Sequence, residues 1–203
     1  MVEPQPASTK GNAKIAILDK YFFVLIEKNI HHLSVRVKRD KKKSMNIAVF
    51  PGSFDPPTYG HLNVIERASK LFEKIDVLVS ENPGKNSLFT ADERVLMLKT
   101  LTEPYHNVEV HKWDRLVVEY ARKIDAKVLI RGIRNVNDFS YEFDLSLVNH
   151  NLNPEIETLF MPTETRYVIV KSSSIKELAQ FGGDISGMVP PVVCEAVLKK
   201  YRK

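Results

Sequence analysis

From Met45 onward, hydrophobic and polar positions alternate between two textures. Short apolar runs of the kind buried on both sides in a parallel sheet occur at Ile47–Phe50, Val77–Val79, Val108–Val110, Val128–Ile130 and Thr158–Phe160. Between them, at Leu62–Phe72, Ala91–Leu101, Leu116–Lys123 and Phe139–Asn149, apolar residues return every three or four positions, the spacing that buries one face of a helix. A last helical stretch, Val192–Lys203, follows Pro190-Pro191, where proline's fixed φ suits a first turn. Thr90-Ala-Asp-Glu93 and Ser174-Ile-Lys-Glu177 have the form of capping boxes, so helices are predicted to start there. The alternation predicts an α/β domain over residues 45–203: a doubly wound, five-stranded parallel sheet with helices on both faces. Ligands of such a sheet sit beyond the carboxyl ends of its strands.

The first 44 residues differ in texture. Residues 1–13 are small and polar with no apolar period, which predicts disorder. Tyr21–Ile26 is apolar but closed by charges on both sides and too short to span a bilayer. Translation starting at Met45, directly before the first strand, is an alternative account of this extension.

Charge then changes the picture. The net +5 at first suggests a nucleic-acid partner, yet residues 1–44 hold ten lysines and arginines against four acids, leaving twenty against twenty-one in the rest. The basic excess belongs to the extension, so the domain has no surplus charge with which to wrap a polyanion. One cysteine, Cys194, excludes an intrachain disulfide and fits a reducing cytoplasm. No Walker loop, nucleophile elbow or Cys/His metal spacing occurs, and His31, His32, His106 and His111 have no ligand partners at metal spacing in the sequence.

Three strings carry candidate chemistry. The first strand runs into Pro51-Gly-Ser-Phe-Asp-Pro-Pro-Thr-Tyr-Gly-His61, where Gly52 permits a tight turn and Pro56 and Pro57 stiffen the loop. Thr58 and His61 stand at the start of the next helix, so Ser53, backbone N–H groups and His61 arrive where a phosphate is favoured. Val128-Leu-Ile-Arg-Gly-Ile-Arg134 is a buried strand ending in two guanidiniums separated by a glycine, suited to phosphate close to the backbone. Ser172-Ser-Ser-Ile-Lys-Glu177 offers hydroxyls and free N–H groups at a helix start. Lys85, in the loop after the second strand, gains meaning only from these neighbours.

The string Thr58-Tyr-Gly60-His61 resembles the T/HxGH signature of the nucleotidylyltransferase superfamily. Together with the Lys85 loop before Leu88-Phe-Thr, VLIRGIR, DFSYEFDLSLVN and SSSIKE, it resembles the bacterial phosphopantetheine adenylyltransferase family over essentially all of residues 45–203. The resemblance implies a Rossmann-like sheet, a homohexamer, a cytoplasmic location, and Mg²⁺-dependent transfer of AMP from ATP to 4′-phosphopantetheine, giving dephospho-CoA and pyrophosphate. It implies that His61 stabilises the transition state and that Ser53, Phe54 and His61 meet the nucleotide. Gly132, Ile133, Arg134, Glu142 and the stretch Val168, Ile169, Val170, Lys171, Ser172, Ser173 and Ser174 would complete the ATP site. Ser53, Lys85, Val117 and Arg131 would bind the acceptor, with Lys85 and Arg131 on its phosphate. No protein metal ligand is expected, because phosphate oxygens hold the ion; no membrane or nucleic-acid partner is expected for the domain. Ser53 in place of threonine, and Arg115, His150 and Lys171, depart from the family pattern. Transfer to another small phosphorylated acceptor, such as nicotinamide mononucleotide or glycerol 3-phosphate, and a basic nucleic-acid-binding role remain the alternatives.

Overall fold

A computed structural model describes residues 47–81, 84 and 86–202; the extension and Lys85 lie outside the described residues. The chain runs β1 (Ile47–Gly52), α1 (Tyr59–Ser69), β2 (Lys74–Ser80), α2 (Ala91–Thr102), β3 (Val108–Trp113) and α3 (Val117–Lys123). It continues through β4 (Val128–Ile133), α4 (Val136–Leu152), β5 (Glu157–Pro162), a 3-10 turn (Thr165–Tyr167), α5 (Ser172–Gln180) and α6 (Pro191–Tyr201). Each predicted strand is present, extended by up to three residues at either end.

The five strands form one sheet in the order β3-β2-β1-β4-β5, and every pair is parallel. The side-chain period of two divides its core. On one face, Ala48, Phe50, Ile75, Val77, Val79, Val128 and Ile130 pack with Val64, Ile65 and Ala68 of α1 and Leu98 of α2. On the other, Val49, Leu78 and Leu129 meet Val118, Tyr120 and Ala121 of α3. A third cluster joins Phe89 and Met97 to Ile175 and Ala179 of α5 and Val193 and Val197 of α6. Fully burying one such aliphatic side chain stabilises by about 1.5–3 kcal/mol.

The chain winds outward from β1 through β2 to β3 and then crosses to β4, so the order reverses between β1 and β4. At such a switch the two following loops diverge and leave a crevice. Thr90 forms the expected capping box with Glu93. The box expected at Ser174 does not form: α5 begins at Ser172 with Lys171 as its cap, and no side chain caps it.

Candidate active site

The β1–α1 connection places His61. Thr58 caps α1, and its Oγ1 accepts from the His61 N–H at 3.3 Å. In return His61 Nδ1 accepts from the Thr58 backbone N–H at 3.0 Å, so a histidine fills the place usually taken by glutamate in a capping box. A nitrogen that accepts from a backbone N–H carries no proton of its own. The ring's proton is therefore on Nε2, and the cap leaves His61 presenting an N–H donor. Desolvation, and secondarily the Arg134 charge, hold its pKa at about 4, so the imidazole is neutral at physiological pH.

The residues before the cap are fixed by buried contacts. Phe54 adopts φ 49°, a conformation that costs a non-glycine residue about 1–3 kcal/mol and persists only where its surroundings hold it. Its ring, fully buried, lies edge-on to Phe50 (5.5 Å between centroids) and to His61 (4.9 Å). This explains Gly52 differently from the sequence: a Cβ there would come within 2.9 Å of Phe54 Cζ, so the glycine makes room for the ring. Buried Asp55 accepts from the N–H groups of Leu88 (2.9 Å) and Phe89 (3.0 Å) and pairs with Lys176 of α5 at 2.8 Å. Arg94, also buried, donates to the Ser53 carbonyl at 2.6 Å, and Ser172 Oγ donates to the Pro56 carbonyl at 2.9 Å.

The two arginines of β4 are held from α4. Glu142 takes Arg131 in a two-bonded pair at 2.5 and 2.6 Å, while Arg131 Nη1 donates to the Pro51 carbonyl at 2.9 Å. Four residues earlier on the same helix face, Asp138 pairs with Arg134 Nε at 2.8 Å and Nη2 at 3.2 Å. Arg134 Nη1 also donates to the Val170 carbonyl at 3.3 Å. A guanidinium has five N–H bonds, and each of these arginines has three engaged, leaving two with which to meet an anion. Glu142 thus orients Arg131.

These parts surround a cavity of about 590 Å³ over the carboxyl ends of the strands. Of the residues expected from sequence, Ser53, Phe54, His61, Val117, Arg131, Gly132, Arg134, Glu142, Val170, Lys171, Ser172 and Ser173 line it. Ile133, Val168, Ile169 and Ser174 do not, and Ile169 is instead 74% exposed. At the start of α5 the first backbone bond runs from Ile175 N–H to the Lys171 carbonyl, so the preceding N–H groups are outside the helix ladder. Ser172 spends its hydroxyl proton on Pro56, which leaves Ser173 as the seryl hydroxyl of this stretch at the cavity wall. Of the departures, Arg115 pairs with Glu119 and His150 faces the Ile156 carbonyl, both off the cavity wall, whereas Lys171 is on it.

Sequence reasoning missed Ser80, Tyr141, Leu145 and Thr163, which also line the cavity. Tyr141 and Leu145 were within reach, since they lie one position before and three after Glu142 on the same helix; Ser80 ends β2 and Thr163 follows β5, with no motif around either. It also missed one His/carboxylate trio, Asp76, Glu109 and His111, whose ligand atoms lie within 4.8 Å of one another. Asp76 and Glu109 are register partners on neighbouring strands, a proximity that spacing along the chain cannot show. None of the three lines the cavity.

Residues 49–178 match the cytidylyltransferase-like family. Phosphopantetheine adenylyltransferase from Caldanaerobacter subterraneus subsp. tengcongensis is 48% identical over 159 residues, covering 78% of this chain and 99% of the relative. The enzymes of that name from Alkaliphilus metalliredigens and Clostridium tetani are 45% and 47% identical, each covering 77% of this chain and 99% and 98% of their own length. The chain belongs to the phosphopantetheine adenylyltransferase family. In three dimensions this family's sheet extends to more distant proteins: a Vibrio parahaemolyticus structure provisionally named a nicotinate-nucleotide adenylyltransferase matches with a TM-score of 0.59 at 22% identity, over 77% of this chain and 95% of that one. That likeness concerns the fold.

Proposed function

We propose that this chain transfers AMP from ATP to 4′-phosphopantetheine, giving dephospho-CoA and pyrophosphate. The observation that carries the reading is His61, neutral and fixed as an Nε2 donor beside two oriented arginines at the switch point of the sheet. A phosphate oxygen of the acceptor attacks the α-phosphorus in line, a P–O bond forms, and the bond to the pyrophosphate oxygen breaks. The nucleophile belongs to the substrate, so the protein supplies neither a nucleophile nor a strong base. Its work is orientation and donors aimed at charge that develops in the transition state.

His61 Nε2–H then donates to the α-phosphate. Arg134, Lys171, Ser173 and the N–H groups opening α5 receive the β- and γ-phosphates. Arg131, with Lys85, receives the acceptor phosphate, and Val117 borders its arm. Phe54, whose ring is buried, serves the nucleotide through its backbone and through support of His61. Mg²⁺ would neutralise phosphate charge. Glu142 is the one carboxylate among the described residues at the cavity wall, and it is committed to Arg131, so phosphate oxygens and water fit as the metal's ligands better than protein groups.

Residues 45–203 form the catalytic domain in this reading, acting in the cytoplasm. Among the described residues no helix is long and apolar enough to cross a membrane. A homohexamer requires self-association, which is supported by α4: it buries no residue and exposes Val136, Phe139, Tyr141, Leu147 and Val148.

The test is pyrophosphate release from ATP and Mg²⁺ with 4′-phosphopantetheine, nicotinamide mononucleotide or glycerol 3-phosphate as separate acceptors. Release with phosphopantetheine alone is expected; release with either other acceptor alone would reassign the substrate.

A further inference from the structure

Ser80 closes β2 at the carboxyl edge of the sheet and lines the cavity. Its Oγ is buried without a hydrogen-bond partner, the one such side-chain atom among the described residues. An unpaired buried hydroxyl costs about 1–3 kcal/mol, which alanine at the same place would avoid. A group of this kind is explained when a ligand completes its bonding.

Its place in the cavity indicates which ligand. Sheet order sets β2 on one side of the β1/β4 switch and β5 on the other. Arg134, Lys171 and the start of α5 gather on the β4–β5 side, where a triphosphate belongs. On the β2 side the wall carries Ser80 and Val117, both uncharged. Ser80 is in register with Trp113, and the Trp113 indole N–H holds the Leu116 carbonyl at 3.0 Å, so Ser80 and Val117 belong to one rim. Between an acceptor phosphate on Arg131 and open solvent, the rest of the acceptor runs along this rim. It is an uncharged arm whose polar groups are amides.

We propose that the Ser80 hydroxyl hydrogen-bonds an amide of that arm and sets the protein's preference for an amide-bearing acceptor. The inference rests on the reaction assigned above. Ser80 is part-exposed as a residue while its Oγ is buried, so the proposed contact includes a turn of the hydroxyl about χ1 toward the arm. The hydroxyl serves equally as donor to an amide carbonyl or acceptor from an amide N–H.

Calorimetric titration of the full chain tests it, with 4′-phosphopantetheine, ATP, and an alkyl phosphate of matched length that has no amide. Ser80→Ala should weaken phosphopantetheine binding about five- to tenfold. Binding of ATP and the alkyl phosphate should be unchanged, and the melting temperature unchanged or higher, because the unpaired group is gone. Of two variants of equal volume, Ser80→Thr should keep the wild-type affinity and Ser80→Val should lose it. Phosphopantetheine affinity within twofold of wild type in Ser80→Ala, an equal loss for all three ligands, or equal behaviour of the Thr and Val variants would each overturn the inference. Wild-type turnover of phosphopantetheine separates the two levels: its absence removes the assigned reaction and this inference with it, whereas turnover with an indifferent Ser80 removes only the inference.

Discussion

The β1–α1 loop and helix α4 both bring chemistry to one cavity, by opposite means. The loop is buried at Phe54, Asp55 and Thr58, and hydrogen bonds or ring contacts fix each of them. Helix α4 buries no residue and works through ion pairs, two carboxylates a helical turn apart that steer Arg131 and Arg134. The difference concerns tolerance. A donor that must meet a transition state within a few tenths of an ångström is held by packed atoms, which do not yield. Cations that grip flexible phosphates are held by ion pairs, which can re-form around a substrate.

The comparison is broken most severely at His61. His61→Ala should lower turnover about 10²- to 10³-fold, the cost of losing one preorganised transition-state donor. ATP affinity should stay within a few-fold, since that contact strengthens only as charge develops. Equal loss in ATP binding by titration would make His61 a ground-state ligand instead.

Next comes Asp55, which joins the loop to Leu88, Phe89 and Lys176. Removing one partner of a largely buried pair is costly, so Asp55→Ala should lose about 3 kcal/mol in urea unfolding. A change below roughly 1 kcal/mol would show that the loop is fixed by its aromatic packing alone.

The α4 side should respond more mildly. Glu142→Gln leaves Arg131 in place but without its neutralising partner, so the acceptor should bind no less tightly while kcat falls about tenfold through lost orientation. An unchanged kcat would show that substrate phosphate, and not Glu142, orients the guanidinium.

Near neutral pH the smallest effect is the dependence on pH itself. The pKa of His61 is depressed in the folded chain, so between its ordinary value and about 4 the unfolded chain binds more protons. His61 therefore contributes a loss of stability as pH falls through that window, and a melting series with His61→Asn as control should show it. In the free enzyme, kcat/KM should have no histidine limb near neutrality.

Much of this site was legible because its signals are local. Thr58 and His61 are three residues apart at the true start of α1, and there that spacing makes the reciprocal cap and selects the tautomer. Thr90 and Glu93 behave in the same way. Ser174 and Glu177 share the pattern and do not use it, because α5 opens earlier, where Ser172 reaches the Pro56 carbonyl from far along the chain. Lys171 and Ser173 came through the family motif, while Ser80 has no motif around it and shows itself only as an unpaired atom.

By itself the sequence determined the order of strands and helices, the parallel sheet, and the residue types at its carboxyl edge, because periodicity and capping act over a few residues. Only the tertiary structure decided which acid holds which base: Asp55 with Lys176 across 121 positions, Glu142 with Arg131, and Asp76 beside Glu109 and His111. Those pairings depend on strand register and on where buried side chains leave room, and neither is written in any one stretch of the chain.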